Sequence, residues 1–240
     1  MLKQEIIESI RRIFHVFGFD IVRFNNIQAT LMKELKQHHI NLIFDIGAFV
    51  GAYAEAMFRA GYTGRIVSFE PQAQLHERLI RLSKKYSGWI IHERCALGSQ
   101  EQVSYLNIAG NLASSSLLPM LKKHIDALPT SRYIGKEEVP IKTIDSIVDQ
   151  YFYPSQYLFM KIDTQGFEHE ILTGAKNTLS ILTGIQLELS LTPLYQGEVL
   201  YDEMIQMLSQ NGFTLEDIIP GFRDLSTGRL LQADFLFFRE

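Results

Sequence analysis

The sequence predicts an α/β fold: a mostly parallel sheet with helices on both faces, preceded by helices at the N-terminus. Three observations carry this expectation. From residue 41 onward, short apolar strands alternate with amphipathic helices, the pattern of strands buried between two helical layers. The first strand runs straight into a glycine-bearing turn, Gly47 to Gly51, where it hands over to a helix. The chain has 240 residues, 46% apolar and 21% charged, a globular composition whose length suits one domain with appendages.

Residues 1–40 read as a helical extension. Ile6, Ile10, Ile13, Phe14 and Phe17 recur at helical spacing, with Glu5, Glu8, Arg11 and Arg12 elsewhere on the helix. Gly18 ends it, and a second helix over Ile27 to Gln37 carries Leu31 and Leu35. These helices are expected to dock on the main domain. A membrane-surface helix or the arm of a homodimer is the functional alternative.

Residues 41–240 read as the main domain. Asn41–Ile46 is the first strand, Ala52–Ala60 a helix closed by Gly61, Arg65–Phe69 the second strand, and Leu75–Tyr86 the next helix. Trp89–His92 is a third strand and Tyr157–Ile162 a fourth, followed by a helix from Phe167 to Ala175. Gly184–Ser190 is a fifth strand, with a helix over Tyr201–Gln210 behind it. Phe213–Ile218 and Phe235–Phe238 complete the sheet. Residues 99–156 break the rhythm with a strand-like Val103–Asn107, a serine-rich turn and Pro119, Pro129 and Pro140. An insertion or lid over the sheet edge is expected there.

Several function classes drop out on composition. One cysteine, Cys95, excludes an internal disulfide framework and any zinc site made of several thiolates. A net charge of −4 offers no general basic face for nucleic acid. The longest apolar runs fall well short of the ~18 residues of a transmembrane span. Arg11 and Arg12 interrupt the apolar N-terminal stripe and no small-residue cleavage site follows, so a cytoplasmic location is expected.

The chemistry concentrates at strand ends. In open α/β sheets the ligand lies beyond the carboxyl ends of the strands. There Gly47 and Gly51 let the backbone approach a ligand closely. The spacing is G-x-x-x-G, which lacks the third glycine of a dinucleotide fingerprint and the Lys-Ser/Thr of a P-loop. Asp45, two residues before the turn, suits a cationic ligand group such as a sulfonium. Glu70 at the tip of the second strand suits a ribose diol. Cys95-Ala96-Leu97-Gly98 follows the third strand as a small-residue loop that a flat adenine could lie against. In that order, at successive strand ends, these features indicate S-adenosylmethionine in preference to NAD.

Asp45-Ile46-Gly47-Ala48-Phe49-Val50-Gly51-Ala52-Tyr53 resembles the D-x-G-A-N-x-G-x-[YF] of FkbM-type S-adenosylmethionine-dependent methyltransferases. Phe69-Glu70-Pro71 matches that family's F-E-P, and Cys95-Ala96-Leu97-Gly98 resembles its N-x-A-L-G. Lys161-Ile162-Asp163-Thr164-Gln165-Gly166-Phe167-Glu168 resembles K-x-D-x-[EQ]-G-x-E, and Gln186–Ser190 fits the family's next strand. The likeness spans residues 41–240. It implies the class I, Rossmann-like methyltransferase fold with seven strands, the last antiparallel. It implies O-methylation of sugars, glycans or secondary metabolites. It places Asp45, Gly47 and Gly51 at the methionine end of the cofactor, Glu70 on the ribose, Ala96 and Leu97 near the adenine, and Asp163 in the central pocket. Phe49 stands where the family often has Asn, and Gln165 where Glu is common. The first departure leaves room for a cofactor-binding protein without catalysis.

Methyl transfer to an alcohol needs the reacting atoms held in line and a destination for the hydroxyl proton. Phe159, Lys161 and Asp163 share one strand face by period two. The expected catalytic set is therefore Asp163 at the strand tip, with Lys161 beside it and His169 or His124 as candidate base. Asp163 and Glu188 on neighbouring strands could together hold a hard cation, but no third ligand presents itself and no metal is expected. Ser114, Ser115, Ser116, Tyr133, Tyr195 and Arg223 are candidates to line the acceptor pocket.

Overall fold

The computed structural model describes residues 27–239, together with Phe14 and Val16 ahead of them. The helix expected over Ile6–Phe17 therefore lies, apart from those two residues, outside the described residues. A helix does run over Ile27–Gln37 (α1).

A seven-stranded sheet is built from β1 (Leu42–Ile46), β2 (Arg65–Phe69), β3 (Trp89–Ile91), β7 (Leu158–Ile162), β8 (Leu182–Ser190), β9 (Phe213–Pro220) and β10 (Gln232–Arg239). The spatial order is β3-β2-β1-β7-β8-β10-β9. The first five strands pair in parallel, while β10 runs antiparallel between β8 and β9. The order of strand addition reverses between β1 and β7, which makes their carboxyl ends the switch point where such sheets bind ligands.

Successive strand residues face opposite sides, and each side packs its own helices. On one side Ile43, Ile66, Phe159 and Phe238 meet Leu31 and Leu35 of α1, Ala54 and Met57 of α2 (Ala52–Arg59), and Leu79 of α3 (Ala73–Ser83). On the other, Phe44, Val67, Met160, Leu187 and Phe235 meet Ile171 and Leu172 of α6 (Glu168–Thr173) and Met204 and Leu208 of α7 (Tyr201–Gln210). The central strands β1 and β7 are buried throughout, which explains their unbroken apolar character.

The segment between β3 and β7 forms a second sheet of three strands, ordered β4 (Ala96–Leu97), β6 (Tyr133–Lys142) and β5 (Gln102–Ala109). Two short helices flank β6, α4 (Lys122–Ala127) and α5 (Ile144–Ile147). This sheet is clamped to the start of α3. Arg94 donates to the Pro71 carbonyl at 2.9 Å and to Glu137 at 3.0 Å, and the Ala73 amide donates to the same Glu137 oxygen at 3.0 Å. Sequence reasoning found β5 in part but missed β6, whose Lys136-Glu137-Glu138 run carries no alternation of apolar residues. Among the described residues, no helix is long and apolar enough to cross a membrane.

Candidate active site

A cavity of about 220 Å³ opens at the carboxyl ends of β1, β2 and β7, roofed by the small sheet. Gly47, Phe49, Glu70, Ala96, Leu97, Asp163 and Glu188 all line it. Six of these seven are residues or departures singled out for cofactor binding in the sequence, and the seventh is the partner named for Asp163.

The turn after β1 is shaped by close approach. Gly47 has φ +75°, and a β-carbon there would lie 1.9 Å from the Asp163 main-chain oxygen. Only glycine leaves the two strand ends this near each other. Gly47 and Ala48 donate their amides to the Phe69 carbonyl, each at 3.1 Å. Phe49 also has positive φ, 50°, a conformation that asparagine tolerates better than a bulky residue. Its amide donates to Glu70 Oε2 at 2.7 Å, while the Gln72 amide donates to Oε1 at 2.9 Å. The Glu70 carboxylate is thus fixed by two backbone donors and keeps lone pairs free toward the cavity. Burial pushes its pKa up to about 7 despite those two bonds.

Asp45 and Gly51 do not line the cavity. Asp45 lies wholly buried behind the turn, accepting from Ser68 Oγ at 3.0 Å and lying 3.6 Å from Lys161 Nζ. Burial raises its pKa, and Lys161 opposes that rise. Gly51, at φ +85°, starts α2; a β-carbon there would meet Leu79 and Trp89, each at 2.8 Å. Its smallness serves helix packing.

Lys161 is a buried bridge. Nζ donates to the Gly47 carbonyl at 3.1 Å and lies 3.4 Å from Asp163 Oδ2. Burial alone would lower the pKa of this ammonium, but Asp163 and Asp45 outweigh burial and hold it above its ordinary value. The residue joins the glycine turn to the tip of β7 without reaching the cavity.

Gln165 is the residue that sequence reasoning undervalued. At φ 58° it turns its amide nitrogen onto two carboxylates, Asp163 Oδ1 at 3.1 Å and Glu188 Oε2 at 2.5 Å. Its amide oxygen accepts from Tyr195 OH at 2.7 Å, and its main-chain oxygen accepts from Ser116 Oγ at 2.7 Å. An amide here can donate to both acids, which an ionised glutamate could not. Burial, with Asp163 and Asp234 nearby, pushes the Glu188 pKa well up. Glu168 Oε1 closes the turn beneath, accepting from the Thr164 amide at 2.8 Å, its hydroxyl at 3.1 Å and the Gly166 amide at 3.3 Å. Burial lifts its pKa to about 7.

Neither histidine joins this group. His169 is half-exposed on α6 and faces Glu170 at 3.8 Å. His124 is buried away from the cavity, edge-on to Tyr195 and tilted on Phe222, each at 5.2 Å. Burial lowers its pKa to about 4, and its Nδ1 has no partner. Of the proposed acceptor residues, Ser115 lines the cavity. Tyr133 donates to the Leu118 carbonyl at 2.8 Å, and exposed Arg223 to that of Gly228 at 3.1 Å. Cys95 lines the cavity, and burial pushes its thiol up to about 12, which disfavours the thiolate a nucleophile needs.

These residues could hold a nucleoside-bearing cofactor: a fixed carboxylate lines the cavity, an apolar small-residue wall stands in the same cavity, and a glycine turn gives backbone access.

A family model described as the methyltransferase FkbM domain matches residues 45–215. Among solved structures, a candidate O-methyltransferase from Klebsiella pneumoniae is 12% identical with a TM-score of 0.51, the match covering 98% of this chain and 89% of that one. Precorrin-6y C5,15-methyltransferase from Geobacter metallireducens is 12% identical at a TM-score of 0.45, covering 91% and 90%. TrmK of M. capricolum, solved with S-adenosyl-homocysteine, is 9% identical at 0.48, covering 86% and 68%. At such identities the likeness speaks to fold alone. No curated protein matches the chain.

Proposed function

The chain belongs to the family of methyltransferase FkbM domains, and on that premise we propose that it moves the methyl group of S-adenosylmethionine onto a hydroxyl oxygen of a small molecule, sugar or glycan. The observation that carries this reading is one cavity shared by Glu70, the Ala96–Leu97 wall and the Asp163–Glu188 pair. Glu70 would hold the ribose diol, Ala96 and Leu97 the adenine, and the Gly47 turn the methionine end. Bound there, the cofactor supplies an electrophilic methyl on a sulfonium.

The chain's own residues would orient the acceptor and take its proton. Asp163 would accept the hydroxyl proton as the new carbon–oxygen bond forms and the carbon–sulfur bond breaks. Glu188, its pKa pushed up by burial and by Asp163 and Asp234, would hydrogen-bond a second acceptor oxygen. Gln165 holds both carboxyl groups in place through its amide nitrogen. Lys161 positions Asp163 from behind. Two carboxyl groups side by side are suited to a hydroxyl-rich acceptor. The net charge of −4 favours a small-molecule acceptor over a nucleic acid.

The test is calorimetric titration with S-adenosylmethionine and, in parallel, NAD, followed by methyl transfer from labelled cofactor to a panel of polyols and glycosides. Binding of the first alone, with label in the ether product, is expected. Binding of NAD alone would replace the reading with a reductase. Cofactor binding without transfer to any acceptor would leave a binding domain without catalysis.

A further inference from the structure

Far from the cavity, three metal-ligating side chains converge where α1 meets the outer edge of the large sheet. Glu34, His38 and Glu216 bring their ligand atoms within 4.8 Å of one another. Glu34 and His38 are four residues apart, and the His38 amide bonds back to the Glu34 carbonyl at 3.0 Å, so the helical turn carries through and stacks the two side chains on one face. Glu216 arrives from β9. There Leu215 pairs with Phe237 and Asp217 with Leu236, which leaves Glu216 as the extra residue of a β-bulge. Bulges re-aim side chains at functional positions.

The imidazole is held ready. It stacks on Phe238, with ring centroids 4.0 Å apart and planes 8° from parallel. Its Nε2 is buried without a hydrogen-bond partner and lies 3.6 Å from Glu216 Oε1. Two carboxylates, Glu34 and Glu216, meet here beside the imidazole. Lys33, three-quarters exposed, reaches Glu34 at 3.6 Å.

We propose that Glu34, His38 and Glu216 bind a divalent transition-metal ion, Zn²⁺ being the one their donors suit best. One imidazole nitrogen and two carboxylate oxygens form a borderline donor set, which magnesium and calcium, with their demand for oxygen, match less well. Zinc bonds of ~2.0–2.2 Å need the ligand atoms somewhat closer than 4.8 Å, a movement within the reach of two flexible glutamates. Three protein ligands leave a fourth position for water. The ion would clasp α1 to β9 and relieve the carboxylate repulsion. The alternative is a plain histidine–glutamate ion pair.

The experiment is calorimetric titration of the metal-stripped full chain with ZnCl₂, alongside thermal unfolding with and without the metal. Four variants are compared: His38→Phe, which keeps the ring stack but removes the nitrogen, Glu216→Gln, Glu34→Gln, and Glu188→Gln as a control for the cavity. The wild type is expected to bind one equivalent and unfold at higher temperature when loaded. Each of the first three changes weakens binding about tenfold or more, as loss of a ligand should, and removes the thermal shift, while Glu188→Gln leaves both intact. Should His38→Phe fail to fold, Glu34→Gln and Glu216→Gln give the same comparison. Zinc binding equal in wild type and ligand variants, or lost only with Glu188→Gln, overturns the proposal. Equal affinity for Mg²⁺ does so too.

Discussion

The main-chain oxygen of Asp163 occupies the place where a β-carbon on Gly47 would stand, the two positions being only 1.9 Å apart. The glycine turn and the tip of β7 are therefore one structural unit. Gly47→Ala must push the strand ends apart and also pay for positive φ. Its expected cost is roughly 3 kcal/mol or more, from a backbone clash added to the left-handed strain. Chemical denaturation measures it. A variant as stable as the wild type would refute this account of the turn.

Gln165→Glu would replace the shared amide donor with a third acid beside Asp163 and Glu188. Near pH 8 the loss of both hydrogen bonds and the added repulsion should cost on the order of 2–4 kcal/mol. The deficit should shrink on acidification, as a protonated glutamate regains one donor. Denaturant midpoints at pH 8 and pH 5.5 make the comparison.

Asp163 and Glu188 are separable by isosteric change. Asp163→Asn removes the proposed proton acceptor, so turnover should fall by about 10²-fold or more, the usual scale of a lost general base. Glu188→Gln keeps a neutral donor and should retain turnover within about tenfold. Retained activity in Asp163→Asn would remove the residue from that role. Lys161→Met removes contacts to Asp163, Asp45 and the Gly47 carbonyl together, so it should lower both kcat and cofactor affinity.

Glu70 and Glu168 both have folded pKa values near 7, above the ordinary 4.5, because they are buried. An acid that binds its proton more tightly when folded favours the fold below its unfolded pKa, and that contribution is lost as pH rises through the folded one. Stability without cofactor should therefore fall from about pH 4.5 to pH 7. Glu168→Gln keeps the oxygen that accepts all three of its bonds and should flatten part of that slope. Cofactor affinity should move the opposite way, weakening below pH 7 as Glu70 gains the proton. Thermal melts and titrations across pH 5–8 test both signs.

Much of this molecule was legible in its residues, for reasons that can be named. Strands buried on both faces, such as Leu42–Ile46 and Leu158–Ile162, carry continuous apolar character. The glycines at 47 and 51 mark their turn unaided, although only packing shows that Gly51 makes room for Trp89. β6 escaped notice because its exposed Gly135–Glu138 stretch is ordered by its ladder to β5 and by the Arg94–Glu137 clamp. The histidines misled because a histidine near a motif looks chemical until its direction is known. His169 points to Glu170, and His124 packs among rings. Gln165 was read as a missing charge, whereas its significance is a hydrogen-bond donor count that only a folded loop reveals.

Trp89 is the sole tryptophan of the chain. Its indole N–H donates to Ser68 Oγ at 2.9 Å, and Ser68 in turn donates to Asp45 Oδ2. Asp45 leans on Lys161, which holds the Gly47 carbonyl. Four contacts thus link the ligand turn to the one strong ultraviolet emitter in the molecule. Its emission is therefore expected to change when unlabelled protein is titrated with S-adenosylmethionine, and an unchanged spectrum would count against the link.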